Sequence, residues 1–571
     1  MVAQSGGHEL RPQPVFGLAS HARADPKREF GVVKARHWWA LAVGGVAVLA
    51  ILSVMLRPPF PVDETRYLAV AWEMWNRSQF LVPHLNGDFY DHKPPALFWL
   101  IHLGWAVAGV NEWWPRLISP LATVVSLWAL ARVGVALWPD RPEIGRTGSV
   151  MFLATWFIAW YQTMLMFDMP LLACVTLSWL CLINAVRSGL ARHWIGFGLA
   201  LGSALIVKGP VALAYVLPVL IACRWWAPNG AEPVRARWVS LALILALVVP
   251  AAWLAAAAYH GSREYFSTLL LDQTVSRVSG EFGHPRPWYW YPPVLLMVLV
   301  PWTIWWPAWK GALRAFRNLS DLGIRFLVVV FASGFLILSA VGGKQVHYLI
   351  PLLAALMLLI ARGLRDTGVG SRTWHLLMPA LIMSPLFLFG IKRLSEPSGL
   401  TLQPEGFTVP AWGVLTLCFM ALSLLMPSAR GSLAAARRLS RVSLVFCVVV
   451  MAVVLTAIRP RYDLRPAARY VSEQQNAGRP IMYVGNYQGE FTFFGRLHSP
   501  VTERTPARAA EWALRNPDGL VVSRAKRLIL RGSPAPEYRQ SYKGDELLVF
   551  RARDLTESSS GFRNPAKPDQ D

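Results

Sequence analysis

The chain has 571 residues, 54% of them hydrophobic, and a formal net charge of +23. Its apolar residues form uninterrupted runs of about 20 residues, which excludes an ordinary soluble globular protein, because such runs satisfy their backbone hydrogen bonds as membrane-spanning helices. The positive charge would suggest nucleic acid in a soluble protein, but short cytoplasmic loops of membrane proteins carry the same excess of lysine and arginine. We therefore predict a polytopic membrane protein without a nucleic-acid partner.

The first elements of the chain are a basic N-terminus, residues 1–36, and an apolar run, Trp39–Met55. The arginines and lysines of the N-terminus predict that it lies in the cytoplasm. The apolar run is too long for the core of a signal peptide and no clear small-residue cleavage site follows it, so we interpret it as an uncleaved anchor. Similar runs recur at Trp238–Ala258 and Phe326–Val341.

Basic residues then determine the topology of residues 37–458. If the second span covers about 116–138, every second loop is basic. These loops contain Arg141 and Arg146, Arg187 and Arg192, Arg224, Arg235 and Arg237, Lys310, Arg314, Arg317 and Arg325, Arg362, Arg365 and Arg372, and Arg430, Arg437, Arg438 and Arg441. The alternation predicts about thirteen spans, with the N-terminus inside and the chain after the last span (about 442–458) outside.

The first outer loop, residues 56–114, contains the strongest local motif, Pro61–Tyr67. Apolar residues recur at helical spacing from its last residue onward, which predicts an amphipathic helix on the outer membrane surface. Asp63 stands where a helix N-cap belongs and Glu64 falls in the first turn, so a capping role alone is one interpretation. The later segment Phe98–Val110 is apolar but too short to cross, and we predict that it lies along the interface.

Further polar residues fall on the same side of the membrane in this topology. They are His92 and Lys93 in the first outer loop, Asp168 after the third span, Lys208 after the fifth, and Lys344, His347 and Tyr348 after the ninth. With Asp63 and Arg66 they suit a phosphorylated lipid whose chain stays in the bilayer. Cationic side chains can neutralise a phosphate leaving group, and a carboxylate can take a proton from an acceptor hydroxyl. Taken singly, each lysine could instead only extend its charge to the membrane surface.

The outer loop 259–291 adds Arg277, which could contact the sugar or the phosphate of such a lipid, and the aromatic run Trp288–Tyr291. An aromatic belt at the membrane interface explains that run without any function. All five cysteines fall in predicted spans, so no disulfide framework is expected. We also expect no cofactor or metal, because the chain has no nucleotide-binding glycine loop and no His/Cys cluster with zinc spacing. A divalent ion bound by Asp63 and Asp168 is the alternative, and no motif supports it.

After the last span the composition becomes polar and mixed. A helix at Arg465–Gln475 and strands at Ile481–Val484, Gly519–Ser523 and Glu546–Arg551 are predicted from their patterns. Residues 459–555 are therefore predicted to form a small α/β domain outside the membrane. The remaining residues, 556–571, are predicted to be a disordered tail.

The motifs Asp63–Tyr67, Val82–His84 and Tyr90–Pro94 resemble the first outer loop of lipid A aminoarabinose transferases. Those enzymes belong to the wider group of protein O-mannosyltransferase-like enzymes with the GT-C architecture. The segments Phe167–Pro170 and Gly343–Pro351 are similar to later motifs of that family. The resemblance implies an α-helical polytopic fold of about thirteen membrane helices with interfacial helices in the first loop and a small extracytoplasmic α/β domain.

By this resemblance Asp63 is the principal catalytic carboxylate and Asp168 the second acidic site residue. The side chains expected around the donor phosphate are Tyr67, Lys93 and Tyr348, helped by Arg66 and Lys208. The family usually has a glutamate immediately before the lysine of the Lys-Pro pair. This chain has His92 there, with Asp91 as the neighbouring carboxylate.

The resemblance also implies the reaction, which is inverting transfer of a sugar from an undecaprenyl-phosphate donor to an acceptor on the periplasmic face of the inner membrane. The expected acceptor is lipid A, and a protein or glycan hydroxyl is the alternative within the same fold. A transporter or flippase for lipid-linked sugars and a scaffolding membrane protein are the alternatives of other classes. We expect the enzyme to act as a monomer with membrane lipids, donor and acceptor as its partners.

Overall fold

The computed structural model describes residues 26–228, 233–260, 286–367, 431–527 and 534–557. The chain divides into two compact units, Met1–Leu41 and Ala42–Asp571, and the site described below lies wholly in the second. The predicted eleventh and twelfth spans fall between 367 and 431, outside the described residues. Arg277 and most of the predicted tail also lie outside them.

In the described part of the chain, seven helices are long and apolar enough to cross a membrane. They are Trp38–Leu56, Trp113–Leu137, Asp168–Ser188, Ala236–Tyr259, Leu322–Ala340, Val346–Arg365 and Ser432–Thr456. Two shorter apolar helices, Ala96–Ala108 and Val211–Ile221, accompany them. The three runs singled out in the sequence all form such helices, and the count of thirteen spans stays a prediction.

The helices of this apolar part follow the order predicted from the basic loops. They are α1 Pro26–Leu56, α2 Asp63–Asn76, α3 Ala96–Ala108, α4 Trp113–Leu137, α5 Pro142–Leu153, α6 Trp156–Tyr161, α7 Asp168–Ser188, α8 Ala191–Lys208, α9 Val211–Ile221, α10 Cys223–Trp226, α11 Ala236–His260, α12 Tyr291–Val298, α13 Trp306–Arg317, α14 Leu322–Ala340, α15 Ile350–Arg365 and α16 Ser432–Tyr462. Three single turns of 3₁₀ helix, Trp288–Trp290, Trp302–Ile304 and Val346–Leu349, stand between them.

Polar contacts join the helix ends that the sequence predicts to be cytoplasmic. The carboxylate of Asp321 accepts hydrogen bonds from Trp138 Nε1 at 2.9 Å and from Arg362 Nε at 2.9 Å. Arg365 Nε donates to Glu143 Oε1 at 3.0 Å. These residues lie at or just beyond the predicted cytoplasmic ends of the second, eighth and tenth spans. Their meeting at one end agrees with the predicted alternation of helix directions.

Small residues allow the helices to approach closely, as is common in membrane helix packing. An added Cβ at Gly363 in α15 would lie 1.9 Å from the carbonyl oxygen of Gly311 in α13. An added Cβ at Gly134 in α4 would lie 2.3 Å from the Cα of Gly145 in α5. The backbones therefore touch at both crossings, and no side chain fits between them.

The helix α2 differs from its prediction in two respects. Its N-cap position is Val62 and Asp63 is the first helical residue, so Asp63 does not cap the helix as predicted. The helix begins one residue earlier than predicted, and Glu64 in its first turn accepts the backbone N–H of Phe60 at 2.6 Å. The helix is also not an amphipathic helix on a surface, since it is buried around most of its circumference, including Glu64 and Glu73.

The rest of the first loop is a short hairpin followed by α3. Strands β1 (His84–Leu85) and β2 (Asp88–Phe89) pair antiparallel around a turn at Asn86 and Gly87, which both have positive φ angles. The carboxylate of Glu73 accepts the backbone N–H groups of both turn residues. This contact fixes the hairpin against α2.

The C-terminal part is the small α/β domain that the sequence predicts. Its elements are α17 Arg465–Asn476, β3 Ile481–Val484, β4 Thr502–Arg504, α18 Pro506–Arg515, β5 Leu520–Arg524, β6 Tyr538–Tyr542, β7 Asp545–Arg551 and α19 Ala552–Glu557. The sheet order is β4-β3-β5-β7-β6, with β3 parallel to β4 and β5 and the other pairs antiparallel. One face of the sheet packs on α17 and the other on α18 and α19. The last helix extends past the predicted domain end at residue 555.

This domain packs directly on the first loop. Trp72 Nε1 in α2 donates to the carbonyl oxygen of Leu497 at 2.9 Å. The indole of Trp105 in α3 stacks on Phe493 with ring centroids 5.6 Å apart. The α2 helix is therefore enclosed between the apolar helices and the C-terminal domain, which explains its burial on both sides.

The crossing of α13 and α15 gives a stability prediction. We expect Gly363→Ala to lower the free energy of unfolding by about 2 kcal/mol or more, because the added methyl group must separate two touching backbones. The measurement is the apparent Tm of the purified protein in detergent. Gly44→Ala is the matched control, since a Cβ at Gly44 meets no atom within 4 Å. Equal Tm values for the two variants would show that the helices do not touch there.

Candidate active site

The first side chains of the site stand on one face of α2. Asp63, Arg66 and Tyr67 are one turn apart, so they project in the same direction. Arg66 forms an ion pair with Asp63, whose side chain is 47% exposed. The Tyr67 hydroxyl lies 3.5 Å from Asp63 Oδ1, which is long for a hydrogen bond. The Asp63 carboxylate is therefore accessible from solvent and already has a cation beside it.

Tyr67 is packed among aromatic rings and retains its proton. Its ring centroid lies 5.0 Å from that of Phe167 and 6.5 Å from that of Phe98. Burial, followed by the charge of Asp63, raises the pKa of Tyr67 well above its ordinary value. The phenol therefore stays neutral at physiological pH and can donate a hydrogen bond to an anion.

Arg66 is largely buried and remains a cation. Burial by itself lowers the pKa of Arg66, but Tyr90 and Asp63 raise it, and the net shift is upward. Its guanidinium lies over the ring of Tyr67 at 5.7 Å. A permanently charged donor group therefore stands next to the exposed carboxylate.

A buried ion pair fixes the start of α2. The side chains of Arg57 and Glu64 are each 1% exposed, and they pair with each other. Glu64 also accepts the backbone N–H of Leu165 at 2.7 Å, and Arg57 donates to the carbonyl oxygen of Thr163 at 2.9 Å. The pair thus joins the end of α1, the start of α2 and the segment that leads to Asp168.

A second buried arginine supports this contact. Arg116 in α4 is 1% exposed and donates to the carbonyl oxygens of Ser53 and Val54 in α1. Ser53 in turn accepts a hydrogen bond from Arg57 Nε at 3.0 Å. The last turn of α1 therefore supplies oxygen acceptors to both arginines.

The second carboxylate of the site is Asp168, the first residue of α7. It pairs with Lys208 at the end of α8, and both side chains are 4% exposed. The Tyr161 hydroxyl donates to its second oxygen at 2.8 Å. Both oxygens of Asp168 therefore have partners within the protein, in contrast to Asp63.

The residues after α14 complete this side of the site. The Lys208 ammonium lies 4.8 Å from the ring centroid of Tyr348, whose carbonyl oxygen accepts the hydroxyl of Tyr215 at 2.8 Å. The ring of His347 stacks on Tyr161 at 5.8 Å. The charges of Asp168, Lys208, Lys93 and Asp63 all act on His347. His347 therefore lies within electrostatic range of both carboxylates.

Three predicted residues stand differently. Lys344 donates to the carbonyl oxygens of Val341 and Arg286, the latter at 3.1 Å, and so it joins the end of α14 to the residues before the Trp288–Trp290 turn. His92 lies at the edge of the site, with Nδ1 3.8 Å from Asp91 Oδ1. Arg277 lies outside the described residues.

The structure thus brings together most of the predicted set at one end of the apolar helices. The members in mutual contact or within electrostatic range are Asp63, Arg66, Tyr67, Lys93, Asp168, Lys208, His347 and Tyr348. Sequence reasoning missed Tyr161 and the Arg57–Glu64 pair. Arg116 lies inside an apolar run of the sequence, and this charged residue is the sequence feature that could have predicted a buried polar cluster. Among the described residues, no three His, Cys, Asp or Glu side chains gather as metal ligands would.

Part of the chain is similar in sequence to known proteins. Residues 92–255 match the family described as dolichyl-phosphate-mannose-protein mannosyltransferase. The chain is 28% identical over 320 residues to undecaprenyl phosphate-alpha-4-amino-4-deoxy-L-arabinose arabinosyl transferase 1 of Pseudomonas fluorescens (strain Pf0-1), covering 55% of each chain. It is 29% identical over 337 residues to the transferase of that name from Pseudomonas aeruginosa (strain UCBPP-PA14), covering 58% of this chain and 60% of the relative. The matched region thus spans little more than half of these relatives.

Solved structures cover more of the chain. The crystal structure of ArnT from Cupriavidus metallidurans bound to undecaprenyl phosphate matches 90% of this chain and 98% of that chain, with a TM-score of 0.70 and 15% identity. The apo structure of the same protein matches 91% and 99%, also with a TM-score of 0.70. The predicted fold class, a GT-C-like helical membrane protein with a small α/β domain, is confirmed. The resemblance identified from the motifs is confirmed as well.

The buried ion pair gives a pH-dependent prediction. Burial raises the pKa of Glu64, but Arg57 and Arg116 outweigh it, so the pKa lies below its ordinary value. A lowered carboxylate pKa contributes stability above the unfolded pKa of about 4.3, and this contribution is lost as the pH falls through the folded value. We expect Glu64→Gln to cost about 3 kcal/mol at pH 7. The difference from the wild type should shrink below about pH 4.

Apparent Tm values in detergent between pH 7 and pH 3.5 measure this difference. Glu511→Gln is the control, since Glu511 forms only an exposed pair with Arg515. A constant difference between Glu64→Gln and the wild type at all pH values would contradict the ionised pair.

Proposed function

We propose that this chain is an inverting glycosyltransferase that transfers a sugar from an undecaprenyl-phosphate donor to an acceptor on the extracytoplasmic face of the inner membrane. The observation that carries the proposal is a half-exposed carboxylate, Asp63, that is paired with Arg66 and stands near the buried Asp168–Lys208 pair at one end of apolar helices. Relatives that are named as undecaprenyl-phosphate aminoarabinose transferases support it.

The cations fit the phosphate of a lipid-linked donor. Arg66 pairs with Asp63, and the charges of Lys93 and Lys208 act on His347 nearby, while the Tyr67 hydroxyl lies 3.5 Å from Asp63 Oδ1 and can donate a hydrogen bond to a phosphate. The leaving group is a phosphate with a charge close to that of a dianion. A guanidinium and two ammonium groups form strong charge-assisted hydrogen bonds with such a phosphate. An isoprenoid chain attached to that phosphate can remain in the bilayer, because the site stands at the ends of membrane-crossing helices.

In the proposed reaction an acceptor oxygen attacks the anomeric carbon on the face opposite the phosphate. The bond from that carbon to the phosphate oxygen breaks, and its electron pair leaves with the polyprenyl phosphate. The surrounding cations balance the charge that develops on this leaving group. A lipid A phosphate acceptor is already anionic and loses no proton, whereas a hydroxyl acceptor would transfer its proton to Asp63.

The two carboxylates take different roles in this proposal. Asp63 is accessible and faces the substrates, where it orients the acceptor and stabilises positive charge at the anomeric carbon. Asp168 has both oxygens engaged by Lys208 and Tyr161, so we assign it to holding the lysine beneath the phosphate. Asp168 is then a positioning residue rather than a group that touches the sugar.

The sugar and the acceptor are the finer part of the proposal. We propose 4-amino-4-deoxy-L-arabinose and lipid A, following the names of the relatives. An amino sugar requires a carboxylate near its ammonium group, and Asp91 beside His92 is the candidate for that contact. A flippase would carry its ionisable groups nearer the bilayer midplane, whereas these stand at helix ends.

The first prediction from this function concerns Asp63. We expect Asp63→Asn to lower kcat at least about 100-fold, because the variant loses the negative charge beside the anomeric carbon. The Tm should change little, since the side chain is half-exposed. The assay follows sugar transfer from undecaprenyl-phosphate aminoarabinose to lipid A in proteoliposomes, with mass spectrometry of both lipids.

Asp88→Asn is the matched control, because Asp88 is an exposed carboxylate in the same loop. Full activity of Asp63→Asn would refute the assignment of the carboxylate. Wild-type protein that moves the labelled donor across the bilayer without consuming it would identify a flippase instead.

A further prediction concerns orientation, for which we propose the C-terminal domain and the site outside and the basic loops inside. In a variant whose native cysteines are serine, Arg515→Cys should react with an impermeant thiol reagent added to intact spheroplasts, since Arg515 is 74% exposed. Arg317→Cys, at the exposed last residue of α13, should react only after the membrane is ruptured. The reverse labelling pattern would invert the proposed topology.

A further inference from the structure

A segment of the C-terminal domain, residues 485–490, reaches the site of the proposed function. It follows β3. Its side chain Gln488 contacts Arg66, which lies 422 positions away in the chain. Arg66 Nη1 donates to Gln488 Oε1 at 2.9 Å, while Arg66 Nη2 pairs with Asp63. One guanidinium therefore joins the exposed carboxylate to the extramembrane domain.

The segment is fixed within its own domain. Glu490, which is 5% exposed, accepts the backbone N–H of Gln488 at 2.8 Å. The backbone N–H of Tyr487 donates to Glu503 at 3.1 Å, and that of Gly485 donates to the Arg504 carbonyl oxygen at 2.8 Å. The position of the Gln488 backbone is thus determined by contacts to β4 and to a buried carboxylate.

The segment also lies directly against the helix turn that carries Arg66. Gly489 has a φ angle of +74°, and an added Cβ there would lie 2.4 Å from the Cβ of Ala69 and 3.8 Å from the Cα of Arg66. Only a residue without a side chain permits this approach. Gln488 therefore meets Arg66 across a close backbone contact and not across a solvent gap.

We propose that Gln488 is a positioning residue that holds the Arg66 guanidinium for the donor phosphate, so that the C-terminal domain completes the donor site. The inference rests on the proposed transferase function and adds a residue from another part of the chain to it. A neutral amide oxygen suits this role. It orients the guanidinium without offering a second negative charge that would compete with the phosphate.

The effect should appear mainly in kcat. The leaving phosphate gains negative charge as the sugar–phosphate bond breaks, so a guanidinium held in place acts most strongly in the transition state. Loss of one charge-assisted hydrogen bond corresponds to about a tenfold effect on rate. We expect Gln488→Met, which keeps the side-chain length without the acceptor oxygen, to lower kcat about tenfold with a smaller change in KM.

Two comparisons separate positioning from simple packing. Gln488→Glu keeps an acceptor oxygen and should retain more of the wild-type kcat than Gln488→Met does. In an Arg66→Lys background, which lacks the guanidinium fork, Gln488→Met should lower kcat by less than about twofold, because residues that act through one contact are not additive. Gln475→Met is the matched control, since Gln475 lies in the same domain and bonds only to the exposed segment at Ser499.

The outcomes distinguish this inference from the proposed function. Wild-type kcat for Gln488→Met, in an assay where the wild type transfers sugar and Asp63→Asn does not, would overturn the inference and leave the function intact. An equal loss from Gln488→Met in the wild-type and Arg66→Lys backgrounds would assign Gln488 a purely structural role and also overturn it. Wild-type protein that transfers no sugar would overturn the proposed function itself. Apparent Tm values for each variant show that the protein remains folded.

Discussion

The site depends on the buried ion pair between Arg57 and Glu64. Removing both charges from water is costly, and the pair tolerates burial only because further hydrogen bonds satisfy it. Glu64 accepts two backbone N–H groups in addition to the guanidinium, and Arg57 reaches Ser53 and a carbonyl oxygen. These bonds join α1, α2 and the segment before Asp168. The spacing of the two site carboxylates follows from that junction.

The carboxylates then differ because of what surrounds them. Asp168 is enclosed with a lysine and a tyrosine, so its charge is balanced inside the protein. Asp63 shares one arginine and keeps nearly half of its side chain accessible. Of the two carboxylates, only Asp63 can be approached without breaking a buried ion pair. The structure thus separates an accessible carboxylate from one that holds a cation in place.

Much of this arrangement was predictable from the sequence, and the limits have physical causes. Basic loops fix the direction of each helix, and direction alone brings Asp63, Asp168 and Lys208 to one end. Strand and helix periodicity predicted α17, β3, β5 and β7 of the C-terminal domain. Contacts such as Arg66 to Gln488 arise from tertiary packing across 422 positions, and no local pattern encodes them. The prediction of an amphipathic α2 on a membrane surface did not foresee its burial for the same reason, since the domain that covers it is distant in sequence.

The burial of α2 also explains why the C-terminal domain is part of the site. A helix of 14 residues that contains two buried glutamates has no stable place on a lipid surface by itself. Glu64 is satisfied by the apolar helices, whereas Glu73 is satisfied by the hairpin turn at Asn86 and Gly87. That turn is held in place by Val501, whose N–H donates to Asn86 Oδ1 at 2.7 Å. The helix that carries Asp63 is therefore positioned from both sides, and the extramembrane domain supplies one of them.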